Sequence, residues 1–315
     1  MVNKIAPGVA ILAATVCRRF YVEGESKSKI AEDLRLSRFQ VARLLDLSIE
    51  QGIIRFEIST PGGFDAELSE AVRSELGLRR AVVVNVDPAD NPNDPATIRQ
   101  HVGAAAAAVL SETVTDTDVL GVGWGRSLSA MASQLEEIAR CQVVQMAGMI
   151  GSVHENSLEL VRKISSIGHG RAYPLYLPLI VQDEQAAKSL LAQPEIAEAA
   201  RLFDKITVGA VSVGSWTPPD SQLLDGLSAA DHEMLDDRGV VGEICSTLFR
   251  ADGSTVDDLE GRSIAPRVAQ LRKIPELILV AGGPQKALAV RAAVRAGLGT
   301  TLVTDSTLAK AVLGR

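Results

Sequence analysis

Two glycine-rich segments contain the residues whose types and spacing are best suited to hold an anion. The first spans residues 121–128, after an apolar stretch and before a predicted helix. Its glycines let the backbone approach a ligand closely, and the free N–H groups and dipole at the start of the helix favour a phosphate. Arg126 adds positive charge and Ser127 adds a hydroxyl. The binding positions predicted in this loop are Gly123, Trp124, Gly125, Arg126, Ser127 and Leu128.

This loop matches neither of the two common nucleotide-binding motifs. It has no Gly-Lys-Ser/Thr, which a Walker loop requires, and the third glycine of the GxGxxG dinucleotide motif is missing. A compact phosphate, as on a sugar phosphate, therefore fits the loop better than a dinucleotide. The alternative is a tight strand-to-helix turn that binds nothing.

The second segment spans residues 281–286 and again lies between a predicted strand and a predicted helix. We expect Gly283 and Lys286 to contribute to binding here. Lys286 falls in the first turn of the predicted helix, where the helix dipole disfavours a cation. This local cost indicates that Lys286 serves a nearby anion or hydroxyl, and the alternative is an ordinary surface lysine.

Known catalytic and metal-binding patterns are missing from the sequence. There is no GxSxG or HExxH, the four histidines form no HxxxH pair, and Cys17, Cys141 and Cys245 form no CxxC pair. We therefore predict no metal, no cofactor and no enzymatic activity. Acidic residues are plentiful, so an acid–base pair is left open, but nothing in the sequence isolates one.

The elements around residues 27–50 predict a helix-turn-helix. Apolar residues and one small residue occupy the spacing that this motif needs, and Ser37 with Gln40 three residues later predicts a capping box at the second helix. Arg35 stands where the turn usually has a glycine. An αα-hairpin with an amphipathic face is the alternative. The residues that fit the spacing are Ile30, Ala31, Leu34, Leu36, Val41 and Leu44.

The second helix of this motif would present residues that can read DNA. Arginine pairs with guanine, glutamine pairs with adenine, and a serine at a helix N-terminus suits a phosphate. Each of these side chains is, alternatively, a solvated surface group. The predicted DNA-binding residues are Lys27, Lys29, Ser37, Arg38, Gln40 and Arg43. The alternating residues 53–58 that follow predict a short wing strand.

Charge is unevenly divided along the chain. The net charge of −7 looks unsuited to nucleic acid, since phosphate contacts need lysine and arginine. Residues 1–58 carry +2, however, and the remainder carries −9. The acidity therefore lies outside the predicted DNA-binding part, while the weak positive charge predicts that several such parts act together.

The loop at residues 60–63 (Thr-Pro-Gly-Gly) is the best boundary, so we predict domains at 1–59 and 60–315. After it, apolar strands alternate with helices, which predicts an α/β domain with a doubly wound, mostly parallel sheet. An irregular insertion is predicted around 212–265. The predicted strands are 81–86, 119–123, 142–146, 206–211, 277–281 and 300–304.

The apolar run 5–17 after Lys4 has some features of a signal peptide. Arg18 and Arg19 close that run where small residues should mark cleavage, so a helix that opens a cytoplasmic domain is the preferred interpretation. No window approaches the ~18 apolar residues of a membrane span.

Several motifs, in order along nearly the whole chain, together resemble the SorC-type sugar-binding transcriptional regulators. They are the helix-turn-helix with Ser37-Arg-Phe-Gln-Val-Ala-Arg-Leu-Leu, Gly121-Val-Gly-Trp-Gly-Arg-Ser-Leu, Gly239-Val-Val-Gly-Glu243, Arg250-Ala-Asp-Gly, Ala281-Gly-Gly-Pro-Gln-Lys286-Ala and Leu302-Val-Thr-Asp305. The resemblance implies a DNA-binding domain followed by an effector domain that is similar to sugar-phosphate isomerases but senses rather than catalyses.

By position, the resemblance implies that the turn at residues 125–127 holds a phosphate and that Glu243 and Lys286 contact the sugar. It also implies a homo-oligomer, a tetramer assembled as a pair of dimers on palindromic operators. Arg126 and Ser127 replace a threonine-rich form of the turn, which leaves the effector open between a phosphorylated sugar and a free polyol.

The function expected from the sequence is a transcriptional regulator of a carbohydrate or polyol operon, whose partners are operator DNA and a (phospho)sugar effector. An enzyme similar to sugar-phosphate isomerases, with an appended helical domain, is the alternative. A nucleotide-binding regulator is disfavoured by the missing third glycine.

Overall fold

The computed structural model describes residues 5–56, 63–86, 88–91, 94–150 and 157–315. The chain divides into two units, Met1–Ser59 and Thr60–Arg315. The smaller unit has one apolar core, and the larger unit has two, one on each face of its main sheet.

The smaller unit is helical. Helix α1 (Pro7–Cys17) begins with a proline in its first turn, where a missing N–H costs nothing, and continues into a π-helical turn at Arg18–Val22. Helices α2 (Lys27–Asp33) and α3 (Arg38–Glu50) form the helix-turn-helix. The capping box at the start of α3 is present, because the Ser37 side chain accepts a hydrogen bond from the Gln40 N–H at 3.1 Å and the Gln40 side chain accepts one from the Ser37 N–H at 2.8 Å.

The turn between α2 and α3 passes through Arg35, whose φ of 53° lies in the left-handed region. This conformation explains why a glycine is usual at that point. Ile30, Ala31 and Val41 are buried as the spacing predicts, while Leu34, Leu36 and Leu44 pack around them. The buried apolar core of this unit consists of Val16, Cys17, Ile30, Ala31, Val41 and Leu45.

The wing strand predicted over residues 53–58 does not form over 53–56, and residues 57–58 lie outside the described residues. The physical reason is that backbone N–H groups which a strand would need as hydrogen-bond donors are already used at the C-terminal end of α3. The N–H groups of Ile53 and Ile54 both donate to the carbonyl oxygen of Ser48, at 2.8 and 3.2 Å.

The larger unit is built on a seven-stranded sheet in which every neighbouring pair is parallel. Its strands are β1 (Arg80–Val84), β2 (Val119–Val122), β3 (Gln142–Gln145), β4 (Arg171–Tyr173), β5 (Val208–Ser212), β10 (Glu276–Val280) and β11 (Thr301–Asp305). Their order across the sheet is β1-β11-β10-β5-β2-β3-β4. The α/β class and the mostly parallel sheet predicted from the sequence are confirmed.

Apolar residues cover both faces of this sheet, because successive side chains of a strand point to opposite sides. In β10, Leu277 and Leu279 belong to one core, whereas Ile278 and Val280 belong to the other. The helices of the unit are α4 (Ala66–Leu76), α5 (Pro95–Thr113), α6 (Arg126–Gln134), α7 (Ser157–Ile167), α8 (Glu184–Leu191), α9 (Pro194–Ala200), α10 (Gln222–Gly226), α11 (Ala229–Asp237), α12 (Val268–Leu271), α13 (Ala287–Arg295) and α14 (Ser306–Val312).

The segment predicted to be an irregular insertion is in fact ordered. It contributes the strands β6 (Gly214–Ser215), β7 (Val240–Ile244), β8 (Thr247–Arg250) and β9 (Thr255–Val256). They form a second, four-stranded sheet of order β6-β7-β8-β9, in which every neighbouring pair is antiparallel. β6 and β9 have only two residues each, β7 is interrupted by Gly242 and Glu243, and β8 holds two apolar residues between Thr247 and Arg250, so none of them shows a continuous apolar run. Among the described helices, none is long and apolar enough to span a membrane.

Candidate functional site

A cavity of about 200 Å³ opens at the carboxyl ends of β2, β5 and β10. Parallel sheets bind ligands at this edge, because loops and helix N-termini converge there. The cavity is lined by Pro95, Ile98, Arg99, Trp124, Gly125, Arg126, Ser127, Ser212, Val213, Gly214, Asp220, Ser221, Gln222, Glu243, Gly282, Gly283, Pro284, Gln285, Lys286 and Thr307. Both loops singled out in the sequence therefore meet at one cavity.

The loop after β2 presents the start of α6 to this cavity. Gly125 has φ 130° and ψ 156°, and α6 begins after it without a side-chain cap. The backbone N–H groups of the first turn are thus available to a ligand. Ser212 holds the loop in place by donating a hydrogen bond from Oγ to the Trp124 carbonyl oxygen at 2.5 Å. Trp124, Gly125, Arg126 and Ser127, four of the predicted binding positions, line the cavity.

Two positions predicted in this loop lie outside the cavity lining. Gly123 extends the pairing of β2, since its N–H donates to the carbonyl oxygen of Ala210 at 2.9 Å. Leu128 is fully buried in a core of the sheet. Its inward direction follows from the register of α6, in which Leu128, Met131 and Ala132 share the buried face.

The loop after β10 brings Gly283 and Lys286 to the same cavity. Asp305 at the end of β11 fixes this loop, because its Oδ1 accepts a hydrogen bond from the Gly283 N–H at 2.7 Å. The Lys286 side chain is only 11% exposed, and its ammonium donates to the carbonyl oxygen of Val213 at 2.7 Å. Lys286 is therefore not a surface lysine. A short 3-10 turn, Pro284–Lys286, precedes α13, so Lys286 stands just before that helix.

Asp220 pairs with two of the cations that line the site, Arg126 and Lys286, and was not found by sequence reasoning. Its Oδ1 accepts from Arg126 Nη2, and its Oδ2 lies 3.3 Å from Lys286 Nζ. Burial alone would raise the pKa of this carboxyl, but the charges of Lys286 and Arg126 outweigh burial and lower that pKa. For Lys286, burial lowers the pKa of the ammonium, and the Asp220 carboxylate opposes this. The opposite charges of Asp220 and Lys286 thus stabilise each other where both side chains are largely shielded from water.

Glu243, on β7, lies at the floor of the cavity and is 3% exposed. Its Oε1 accepts a hydrogen bond from Ser221 Oγ at 3.2 Å, and its Oε2 accepts one from the Ser246 N–H at 3.3 Å. Burial raises the pKa of Glu243 to about 7, against the opposing effect of these hydrogen bonds and of Lys286. The carboxyl is therefore able to exchange hydrogen bonds with ligand hydroxyl groups as donor or acceptor.

The arrangement combines two kinds of recognition chemistry. Arg126 and Lys286, with the first turn of α6, suit an anionic group. Asp220, Ser221 and Glu243 offer oxygens to hydroxyl groups. Within the described residues, no three histidine, cysteine or acidic side chains are placed to hold a metal ion. The site is thus suited to a small polyhydroxylated molecule that carries negative charge.

The predicted DNA-binding residues all lie in the smaller unit, but some of their side chains are exposed and others are held by contacts within the unit. Arg38 and Arg43 on α3 are exposed. Lys29 pairs with Glu25, their side-chain atoms being 3.2 Å apart, and the Lys27 ammonium lies 5.4 Å from the centre of the Phe20 ring. Ser37 and Gln40 are engaged with each other in the capping box, so the Gln40 carbonyl is not available for a bidentate contact with adenine while the box is closed.

Phe39, which sequence reasoning did not select, stands between these polar residues. It occupies the second position of α3 and is 78% exposed. A phenyl ring displayed next to Arg38 at a helix N-terminus is the kind of apolar group that contacts a thymine methyl in the major groove.

Known proteins are similar to this chain over residues of both units. Residues 61–314 match the family model described as "Putative sugar-binding domain". The chain is similar to the uncharacterized transcriptional regulator YjhU of Escherichia coli K12, at 28% identity over 93% of this chain and 92% of the relative. It is 28% identical to the deoxyribonucleoside regulator of Bacillus subtilis, over 96% of this chain and 97% of that protein. The fold matches the crystal structure of the full-length sorbitol operon regulator SorC from Klebsiella pneumoniae, with a TM-score of 0.73 and 19% identity over 96% of this chain and 99% of that one.

Proposed function

Because the chain belongs to the sugar-binding family of SorC-type regulators, we propose that it is a DNA-binding transcriptional regulator of a carbohydrate or polyol operon. In this proposal residues 1–59 bind the operator and residues 60–315 bind the effector and form the oligomer. The observation that carries it is the cavity in which Arg126, Lys286 and the open end of α6 converge, within the unit that matches the family.

The effector proposed for this cavity is a phosphorylated sugar or polyol. Its phosphate binds at the turn formed by Gly125, Arg126 and Ser127, where the helix dipole and the N–H groups favour negative charge. Its hydroxyl groups contact Glu243 and Lys286, and the Lys286 ammonium also faces the phosphate. The cavity volume of about 200 Å³ suits such a compact molecule.

The DNA contacts proposed for the smaller unit divide by type. Arg38 and Phe39 at the start of α3 contact base edges, because the N-terminal residues of a recognition helix lie deepest in the major groove. Lys27, Lys29 and Ser37 contact phosphates, and Arg43 and Gln40 complete the interface with the part of each side chain that the folded unit leaves free. This surface carries little net charge, so one copy of the smaller unit binds DNA with low affinity. In a dimer or a tetramer, several copies bind together and raise the affinity of the whole protein for the operator.

Regulation follows from linkage between the two ligands. If effector and operator favour different arrangements of the oligomer, each changes the affinity of the other by the same factor. The protein then acts in the cytoplasm as a sensor of a sugar metabolite rather than as an enzyme.

Two measurements on the full chain test this function. Thermal unfolding with a panel of sugar phosphates and free polyols should identify the effector, since a ligand at a hundredfold excess over its Kd adds roughly 2.7 kcal/mol to the free energy of unfolding. Selection from a random DNA pool should then yield an operator whose affinity that effector changes. An operator that no compound in the panel affects would remove the sensing role, and turnover of pentose or hexose phosphates would instead favour an isomerase.

A further inference from the structure

We infer that Asp220 is an internal counter-anion, which occupies the cation pair of the cavity until the anionic group of the effector replaces it. This inference rests on the proposed function and concerns how the same cavity selects its ligand. It starts from one geometric fact: a single carboxylate contacts Arg126 through Oδ1 and Lys286 through Oδ2. The two cations come from loops after β2 and β10, which are far apart in the sequence and close in the fold.

Burial explains why Lys286 needs an anionic partner when no effector is bound. The side chains of Lys286 and Asp220 are 11% and 18% exposed, so without a carboxylate the ammonium would lose most of its hydration and keep only carbonyl oxygens, such as that of Val213, as partners. Arg126, whose side chain is 39% exposed, remains partly hydrated. Gln285 adds a third contact, because its Nε2 donates to Asp220 Oδ2 at 3.4 Å. The carboxylate therefore fills the position from which a ligand anion would contact Arg126 and Lys286 together.

Backbone hydrogen bonds fix the main chain of Asp220, so in this inference only its side chain moves away from the two cations. Its N–H donates to the Ser215 carbonyl oxygen at 2.8 Å, and its own carbonyl oxygen accepts from the Ser215 N–H at 3.2 Å. Replacement by a ligand thus requires rotation of one side chain and not a rearrangement of the chain. The released carboxylate remains at the rim of the cavity, close enough to accept hydrogen bonds from ligand hydroxyl groups.

Because a ligand anion has to replace the Asp220 carboxylate, the cavity selects ligands by the charge of their anionic group. A monoanion would replace the Asp220 carboxylate with an equivalent charge and gain little. A phosphate monoester carries about −1.5 to −2 at pH 7 and three strong acceptor oxygens, so it binds the cation pair more strongly than a carboxylate does. Arg99, which also lines the cavity, adds to this preference, while the neighbouring Glu243 carboxyl opposes it when ionised. A neutral polyol leaves the pair closed.

Thermal unfolding of the full chain with inorganic phosphate and with acetate, at constant ionic strength, tests this inference. Phosphate should stabilise the natural chain and acetate should not. In Asp220→Asn both anions should stabilise, and the phosphate concentration needed should fall about tenfold. Asp225→Asn, at an exposed aspartate outside the cavity lining, is the matched control and should behave like the natural chain.

Unchanged responses to both anions in Asp220→Asn would overturn the inference. A co-crystal structure of the natural chain with phosphate gives a second answer, which does not depend on how well the variant folds. It should show the Asp220 carboxylate away from both cations, whereas phosphate bound beside an intact Asp220–Lys286 pair would also overturn the inference. If no sugar phosphate or polyol binds the natural chain at all, the proposed function fails. If one binds and Asp220→Asn changes nothing, only the role of Asp220 fails.

Discussion

Ser221 donates a hydrogen bond from Oγ to Glu243 Oε1 across 3.2 Å, at the buried floor of the cavity. The contact joins the segment before α10 to strand β7. It is too weak to offset the cost of placing a charge there, since burial raises the pKa of Glu243 to about 7. Stability near neutral pH should therefore depend on the proton carried by this one carboxyl.

Glu243→Gln should alter the pH dependence of stability. The pKa of Glu243 rises from 4.5 in the unfolded chain to about 7 in the folded one, so between these values the folded chain binds more protons. The free energy of unfolding of the natural chain, relative to that of Glu243→Gln, should thus fall by about 2 kcal/mol between about pH 5.5 and about pH 7.5. Urea unfolding at both pH values measures this difference. Glu233→Gln, at an exposed glutamate, serves as control, and parallel profiles for Glu243→Gln would contradict the prediction.

Gly125→Ala should disrupt the turn at the start of α6. The φ of 130° is a conformation that only glycine adopts easily, and an added Cβ would lie 2.9 Å from the Cβ of Ser212. We expect the free energy of unfolding to fall by about 1–3 kcal/mol and the effector response to disappear. Gly261→Ala is the matched control, because its Cβ would meet Glu184 Cγ at an ordinary 3.6 Å. Equal thermal stability of the two variants would contradict this account.

Arg38→Ala and Ser127→Ala should separate the two binding functions. Loss of Arg38 should weaken binding to the selected operator about tenfold, as for a lost guanine contact, and should leave the effector affinity unchanged. Loss of Ser127 should weaken the effector about fivefold and leave operator affinity without effector unchanged. Fluorescence anisotropy and calorimetry measure the two affinities. Ser133→Ala, at the other end of α6, is the control, and similar defects in both test variants would refute this division.

Phe39→Ala should remove a preference for thymine. Replacing one operator thymine with uracil deletes a single methyl group, and its lost burial should cost the natural chain about 0.8 kcal/mol, roughly a fourfold change in Kd. Phe39→Ala should bind both DNAs equally, whereas Phe39→Leu should retain part of the difference. Uracil substitution at each thymine of the operator in turn locates the contact. A penalty that is the same for the natural chain and for Phe39→Ala at every position would exclude this role.

The elements with strong periodicity were predictable from the sequence. Six parallel strands were located within two residues at each end, because their apolar residues face cores on both sides of the sheet. The strand at Arg171–Tyr173 has three residues, too few to show a pattern. The second sheet was missed because two of its strands have two residues each and the other two are interrupted by glycine and polar residues. The wing strand does not form over residues 53–56, because the backbone N–H groups of Ile53 and Ile54 donate to the end of α3.

The role of Lys286 was predictable from one local feature, a cation at a position where the helix dipole disfavours it. Its partner, Asp220, was not predictable. Asp220 follows two prolines in an irregular stretch, and no spacing connects it to Arg126 or Lys286. Their pairing depends on which strands are neighbours, a property of the completed sheet. Glu243 was reached only through the family resemblance, since a glutamate in a short strand looks like any other until its burial is known.

The order of the pocket segments along the chain has a consequence for translation. The lining extends to Thr307, and β11, just before it, pairs with both β1 and β10 in the sheet. Synthesis proceeds from the N-terminus, so the helices that carry Arg38 and Phe39 leave the ribosome long before β11 does. Under the proposed function, the nascent chain would therefore carry the helices of the operator-binding surface before the effector cavity is complete, and only the finished protein would respond to the effector.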